Sequence, residues 1–298
     1  MKTPSGLIGA CVAEFVGTFF LVLFGVGSVF VAVLTGALQG LFQVAVVWGI
    51  VITLCIHATS AVSGAHLNPA VTLACWAWRS FPSFRLLPYI AAQLVGAFVA
   101  AAALYALFNG IIAGYELENG IVRGLAGSER TAMLFGEYFP HPLQVGTDAS
   151  ALAKVSPATA MLAEAAGTAI MVFFIFALTD PRNPSRPSGT LFALLIGLTV
   201  AILISLLAPL TQAGFNPSRD FGPRLFAWLA GWGDIAIPGP RGGFLTVYIL
   251  SPLFGGLVGG GMYDQIIGRF LPGERGESST APDAERSPKN EQYPPTET

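Results

Sequence analysis

Six long apolar runs separated by short polar connections set the pattern of the chain: roughly Leu7–Leu34, Leu41–Val62, Leu86–Ala113, Pro157–Thr179, Ser188–Pro209 and Gly242–Met262. Each is long enough to cross a bilayer core, which takes about 20 apolar residues as a helix. Four hold no Asp, Glu, Lys or Arg, and the other two hold one acid each, Glu14 and Glu164. The pattern predicts an all-α membrane protein with six transmembrane helices.

Two short signals interrupt this pattern. Asn68-Pro69-Ala70 follows the second run and Asn216-Pro217-Ser218 follows the fifth. Asn is a favoured N-cap and Pro a favoured first helical residue. Each signal therefore starts a short helix beside lipid-spanning sequence, where broken backbone survives only if it is buried in protein or lines a water-filled cavity. A lone Asn-Pro pair is commonly just a turn; the duplication carries the inference.

The halves echo each other further. Ala13-Glu14-Phe15-Val16-Gly17-Thr18 resembles Ala163-Glu164-Ala165-Ala166-Gly167-Thr168, and the interval from Glu14 to Asn68 nearly equals that from Glu164 to Asn216. Each half reads as span, span, broken loop with short helix, span. Three crossings is an odd number, so the second half enters the membrane upside down, as in transporters built from inverted repeats. The expected organisation is one channel domain over 1–270, with repeats at about 6–113 and 156–268 joined by an extramembrane loop at 114–155. A disordered tail rich in Pro, Ser, Glu and Thr is expected at 271–298.

A helix from Asn68 to about Trp78 is about 15 Å long, half of a hydrocarbon core of about 30 Å. Its counterpart from Asn216 to about Leu229 is slightly longer, with a kink expected at Pro223. Two half-helices entering from opposite faces meet N-terminus to N-terminus. Their partial positive charge disfavours cations, including a hopping proton. The Asn68 and Asn216 amides are candidate donors to a passing oxygen. The extended backbone before each Asn supplies candidate pore carbonyls: Gly64, Ala65 and His66 in one half, Ala213, Gly214 and Phe215 in the other. Such a lining suits small neutral hydrogen-bonding molecules, and an ion would lose too much hydration there.

Composition narrows the class. The chain has 298 residues, 53% hydrophobic and 11% charged, against about a quarter charged in soluble domains. A net charge of −2 gives no support for a nucleic-acid partner. The first apolar run is too long for a signal peptide and reads as an uncleaved span. Cys11, Cys55 and Cys75 lack paired spacing and read as small buried hydrophobes rather than disulfide or metal ligands. Lys2, Arg79, Arg85, Arg182, Arg186 and Arg269 all fall on one side of a six-span arrangement. That side is expected to be cytoplasmic, with both termini, in a plasma or inner membrane. The acidic 114–155 loop falls on the other face.

On these motifs the chain resembles the major intrinsic protein family, the aquaporins and glycerol facilitators, over roughly residues 6–270. Ser63-Gly64-Ala65-His66-Leu67-Asn68-Pro69-Ala70 looks like the family's first signature, and Gly214 to Arg224 like its second. Asp220 after Arg219, and the Phe226–Gly233 run, are similar to the glycerol-facilitator branch. The resemblance implies a homotetramer with one pore per subunit, no cofactor and no catalysis. It also implies a selectivity filter, which alignment places at Trp48, Ile204, Ala213 and Arg219. Typical bacterial glycerol facilitators carry Gly and Phe where this chain has Ile204 and Ala213. The set found here looks more like nodulin-type plant channels, associated with glycerol, ammonia-sized solutes and undissociated acids such as arsenite. Ser218 in place of the usual Ala is a small change.

The expected function is passive conduction of glycerol and similar uncharged solutes, with some water. A channel carrying mainly water or a metalloid acid, with urea another possible load, is the alternative within the family. Glu14 and Glu164 are functional candidates by default, as carboxylates within spans, and a proton-coupled transporter is the rival reading. Their equivalent places in the two repeats favour a structural role, accepting hydrogen bonds from the broken loops. Arg219 opposes the macrodipole of its own half-helix, so something other than the helix requires it. Asp220 either complements that helix N-terminus or positions the neighbouring loop. Trp48 and His57 are ordinarily packing residues. Gly17, Gly25, Gly96, Gly167, Gly197 and Gly259 read as close helix crossings. The spans hold no nucleophile–base pair or metal-ligand cluster for an intramembrane enzyme.

Overall fold

A computed structural model describes residues 6–187 and 191–272. Lys2, Ser188 and the tail from 273 onward lie outside the described residues. The described chain contains six helices long and apolar enough to cross a membrane. In order these are α1 (Leu7–Thr35), α2 (Leu41–Ser63), α4 (Ser83–Glu118), α7 (Pro157–Thr179), α8 (Leu191–Thr211) and a composite span over Phe244–Phe270. Short helices α3 (Pro69–Trp78) and α9 (Pro217–Ala227) follow α2 and α8. Two further turns of helix, α5 (Glu129–Ala132) and α6 (Ala149–Ala153), lie in the long connection between the halves.

Two spans outrun the hydropathy runs for one reason. Helix continues where charged residues end the apolar signal. α4 extends past Ala113 through Glu116 and Glu118. At 36 residues it is about 54 Å long, well beyond a hydrocarbon core of about 30 Å. The last span is a π-helical stretch at Phe244–Leu250, then α10 (Ser251–Met262), then a second π-helical turn carrying Asp264. Pro223 is accommodated inside α9, and the clear departure from helical backbone comes later, at Gly231 (φ 104°).

Large apolar side chains such as Phe20, Phe24, Ile50, Leu54, Leu206 and Phe254 are exposed on the outside of the bundle. That is the surface a bilayer covers. Small residues sit at the helix contacts. A Cβ on Gly96 would stand 2.5 Å from the carbonyl of Phe15, one on Gly197 2.2 Å from that of Gly49, and one on Gly259 2.1 Å from that of Ala169. These three glycines are close backbone crossings, as expected. The other three do something different. Gly17 and Gly167 make room for Leu67 and Phe215, the residues before each Asn, and Gly25 makes room for the Trp48 ring.

Candidate functional site: a cavity between two half-helices

Each half-helix begins in the same way. Asn68 is extended and its Oδ1 accepts from Ala70 N at 2.8 Å. Asn216 is extended and its Oδ1 accepts from Ser218 N at 3.1 Å and Arg219 N at 3.3 Å. The remaining side-chain donors cross over. Asn68 Nδ2 donates to the carbonyl of Phe215 at 2.9 Å, and Asn216 Nδ2 donates to the carbonyl of Leu67 at 2.8 Å. The N-termini therefore meet, and each cap is completed by the backbone of the other half.

The backbone before each Asn is strained in matching places. Gly64, Ala65 and Leu67 have positive φ, and so do Gln212, Ala213 and Phe215. Non-glycine residues in this region cost of order 1–3 kcal/mol each and persist only where the surroundings over-determine them. Two carboxylates provide that constraint. Glu14 accepts from His66 N (2.9 Å), Leu67 N (2.7 Å), Ser63 Oγ (2.6 Å) and Gln93 Nε2 (2.7 Å). Glu164 accepts from Gly214 N (2.9 Å) and Phe215 N (2.7 Å). Both acids are fully buried. Hydrogen bonds to a charged acceptor contribute about 1.5–3 kcal/mol each, the scale of the strain they hold.

A cavity of about 520 Å³ passes this junction. Its wall runs from Val33 and Gly40 at one end of the spans to Arg79, Thr179 and Pro181 at the other. Between them it includes Gly64, Ala65, His66, Asn68, Gly214, Phe215 and Asn216. The Phe215 carbonyl is occupied by Asn68. Trp48, Ile204, Ala213 and Arg219 all border the same cavity. The Arg219 guanidinium lies over the Trp48 ring, 4.8 Å from its centre, at a distance typical of cation–π contact. Pro69, Ala70, Pro217 and Ser218 are buried in the first turns behind the Asn residues. The Ser218 hydroxyl donates to Asn216 Oδ1 at 2.9 Å.

Sequence reasoning missed Glu137. It comes from the acidic connection, yet it is 1% exposed, borders the cavity and pairs with Arg219. Its backbone N donates to Asp220 Oδ1 at 2.7 Å, and its carbonyl accepts from Arg224 Nη2. Asp220 and Arg224 are themselves paired at 2.8 Å on α9. A signal was present: Thr131-Ala132-Met133-Leu134-Phe135-Gly136-Glu137-Tyr138-Phe139-Pro140 is too apolar for a solvated loop, and this whole run is buried.

At the opposite end, Arg79 pairs with Asp264 and lies 3.9 Å from Asp180, while Arg182 pairs with Asp180 at 2.8 Å. The Arg182 hydrogen bond holds the Asp180 carboxyl down, to about 2. Among the described residues no group of His, Cys, Asp or Glu is arranged to hold a metal ion.

Comparison with known proteins agrees with this architecture. The profile of the major intrinsic protein family matches residues 2–263. The chain is 41% identical over 273 residues to the glycerol uptake facilitator protein of Escherichia coli strain K12, covering 91% of this chain and 92% of that protein. It is 41% identical over 286 residues to the glycerol uptake facilitator protein of Pseudomonas aeruginosa, covering 96% and 98%. It is 40% identical over 268 residues to the propanediol uptake facilitator of Salmonella typhimurium, covering 90% and 97%. Among solved structures, the aquaglyceroporin from Plasmodium falciparum shares the fold, with a TM-score of 0.73 at 23% identity over 88% of this chain and 97% of that one.

Proposed function

The chain belongs to the major intrinsic protein family, and on that footing we propose how its residues conduct solute. It is a multi-pass membrane channel and not an enzyme, and it passes glycerol and other small uncharged solutes with some water. The observation that carries this reading is the cavity whose wall joins both Asn caps to Trp48 and Arg219.

Mostly apolar walls with a few fixed donors suit a polyol, which has one carbon-backed edge and one hydroxylated edge. Asn68 and Asn216 each keep a second amide proton for a passing oxygen. Arg219, backed by Trp48, sets the outer constriction together with Ile204 and Ala213. The opposed helix N-termini and the Arg219 charge exclude cations. Glu14 and Glu164 are fully occupied in holding the re-entrant backbone, which supports an anchoring role over proton coupling. Asp220 positions the 114–155 loop through Glu137 N. The working unit is one channel domain of two inverted repeats, assembled as a homotetramer with both termini cytoplasmic in an inner or plasma membrane.

Liposomes containing the protein provide the test. Under a glycerol gradient they shrink and then reswell, and the reswelling is unaffected by a pH gradient; sorbitol gives shrinkage alone. Uphill glycerol accumulation driven by protons would overturn the channel reading. Fast shrinkage without glycerol reswelling would reduce it to a water pore. Urea and arsenite reswelling rates rank the remaining solutes.

A further inference from the structure

We propose that Glu137 is a positioning residue whose proton sets the place of Arg219, so that solute flux through the outer constriction follows pH. This rests on the reading of Arg219 as part of the filter.

The carboxyl sits in a crowded, nearly closed group of charges. From α9 it faces Arg219, Arg224 and Asp220, and from α7 it faces Glu164. Gly214 lies between the Glu164 carboxylate, the Tyr248 ring and the Glu137 side chain, each within 3.4 Å of where a Cβ would stand. Three carboxyls share this space with two guanidiniums. Arg224 is committed to Asp220 through two bonds, from Nε at 2.9 Å and from Nη2 at 2.8 Å. Arg219 is the cation paired with the Glu137 carboxyl, and like charges packed this closely favour keeping a proton on one of them.

Glu137 is the group suited to hold it. Glu164 already accepts a backbone N–H bond on each oxygen, from Gly214 N on Oε1 and Phe215 N on Oε2. Glu137 Oε2 is buried and has no hydrogen-bond partner, and the Tyr248 hydroxyl is also buried and unpartnered. Burial pushes the Glu137 carboxyl up, against the pull of Arg219, with Asp220 and Glu164 adding repulsion. Glu137 borders the conducting cavity and also a side cavity of about 60 Å³, bordered by Glu129 and Arg241. That volume exceeds the roughly 15 Å³ a water molecule needs.

The linkage is mechanical as well as electrostatic. Both backbone atoms of Glu137 are tied to the Asp220–Arg224 pair, so its side chain is aimed at Arg219 by the helix that carries Arg219. The other holds on the guanidinium are the Trp48 face and a 3.5 Å contact from Nη1 to the carbonyl of Phe135. Protonating Glu137 removes the charged partner. The guanidinium then hydrates into the lumen and narrows the passage.

The test is glycerol reswelling of liposomes at equal internal and external pH, scanned from about pH 5 to about pH 9. Wild-type flux falls on acidification by about three- to tenfold, the range that losing one net hydrogen bond implies. Glu137→Gln gives a flat profile at the low level, and Glu137→Asp restores a slope. The inner-mouth pair cannot produce this slope, because Asp180 stays ionised throughout the range. A wild-type profile that is flat or rises on acidification, or a Glu137→Gln profile of wild-type shape, overturns the proposal. Arg219→Ala, measured alongside, separates the two levels. Altered selectivity in Arg219→Ala with a wild-type profile in Glu137→Gln defeats only the proton latch. Unaltered selectivity in Arg219→Ala defeats the filter reading itself.

Discussion

The two half-helices are built alike and equipped differently. α3 reads Pro-Ala-Val-Thr-Leu-Ala-Cys-Trp-Ala-Trp and carries no charge. α9 reads Pro-Ser-Arg-Asp-Phe-Gly-Pro-Arg-Leu-Phe-Ala and carries three, each buried. Both begin at an extended Asn and follow the same sequence of positive-φ residues. Both are tied through two backbone N–H groups to a buried Glu. What the halves share makes the fold. What they do not share, namely Arg219, Asp220, Arg224 and the loop residue they capture, stands beside the cavity at the proposed outer constriction. A duplicated scaffold thus leaves one copy free to carry charges that the other lacks.

Removing a shared element should break both halves alike and have the largest effect. Glu14→Ala and Glu164→Ala each orphan two buried N–H groups, at about 1–3 kcal/mol apiece. Neither should yield monodisperse protein in mild detergent; normal yield and flux from either would undo the equivalence. Next in size is a change confined to the second half. Arg219→Ala should raise leakage of sorbitol or ions by about tenfold, one 1.4 kcal/mol step, with yield unchanged, measured as reswelling and ion flux in liposomes. Ile204→Gly comes third. Opening the wall beside Arg219 should raise glycerol relative to urea flux by about three- to tenfold, the low end of what methylene-scale changes do to discrimination. The smallest change makes the second half resemble the first. Ser218→Ala restores the residue that Ala70 provides in α3. Asn216 Oδ1 keeps its bonds from Ser218 N and Arg219 N, so stability should move by less than about 0.5 kcal/mol and flux not at all. A clear loss of glycerol flux would give the hydroxyl a role in the lumen.

Much of this was legible because membrane spans and helix caps are local signals. Six apolar runs and two Asn-Pro pairs are read directly along the chain, and near-equal spacing from each Glu exposes the duplication. The proposed filter positions required alignment with a family, since nothing about Ile204 or Ala213 taken alone marks them. Glu137 was not legible as a site residue. Its partner is distant in sequence, and an acid in an acidic connection looks like solvated surface. Helix ends were misjudged where Glu116, Glu118 and Asp264 lower the hydropathy of residues that remain helical. The glycines were half understood. A small residue in a span announces a close approach, but whether backbone, as at Gly259, or a side chain, as at Gly167, does the approaching depends on the other half.

The crossed hydrogen bonds of Asn68 and Asn216 bear on how the chain is made. The acceptor for Asn68 is the carbonyl of Phe215, in the last third of the polypeptide. Until that segment has emerged from the ribosome and entered the bilayer, the first re-entrant turn keeps its cap on Ala70 N but lacks the acceptor for the Asn68 amide. The midpoint of the lumen is therefore complete only when the two stretches clasp, and a product ending before residue 215 lacks half of that junction.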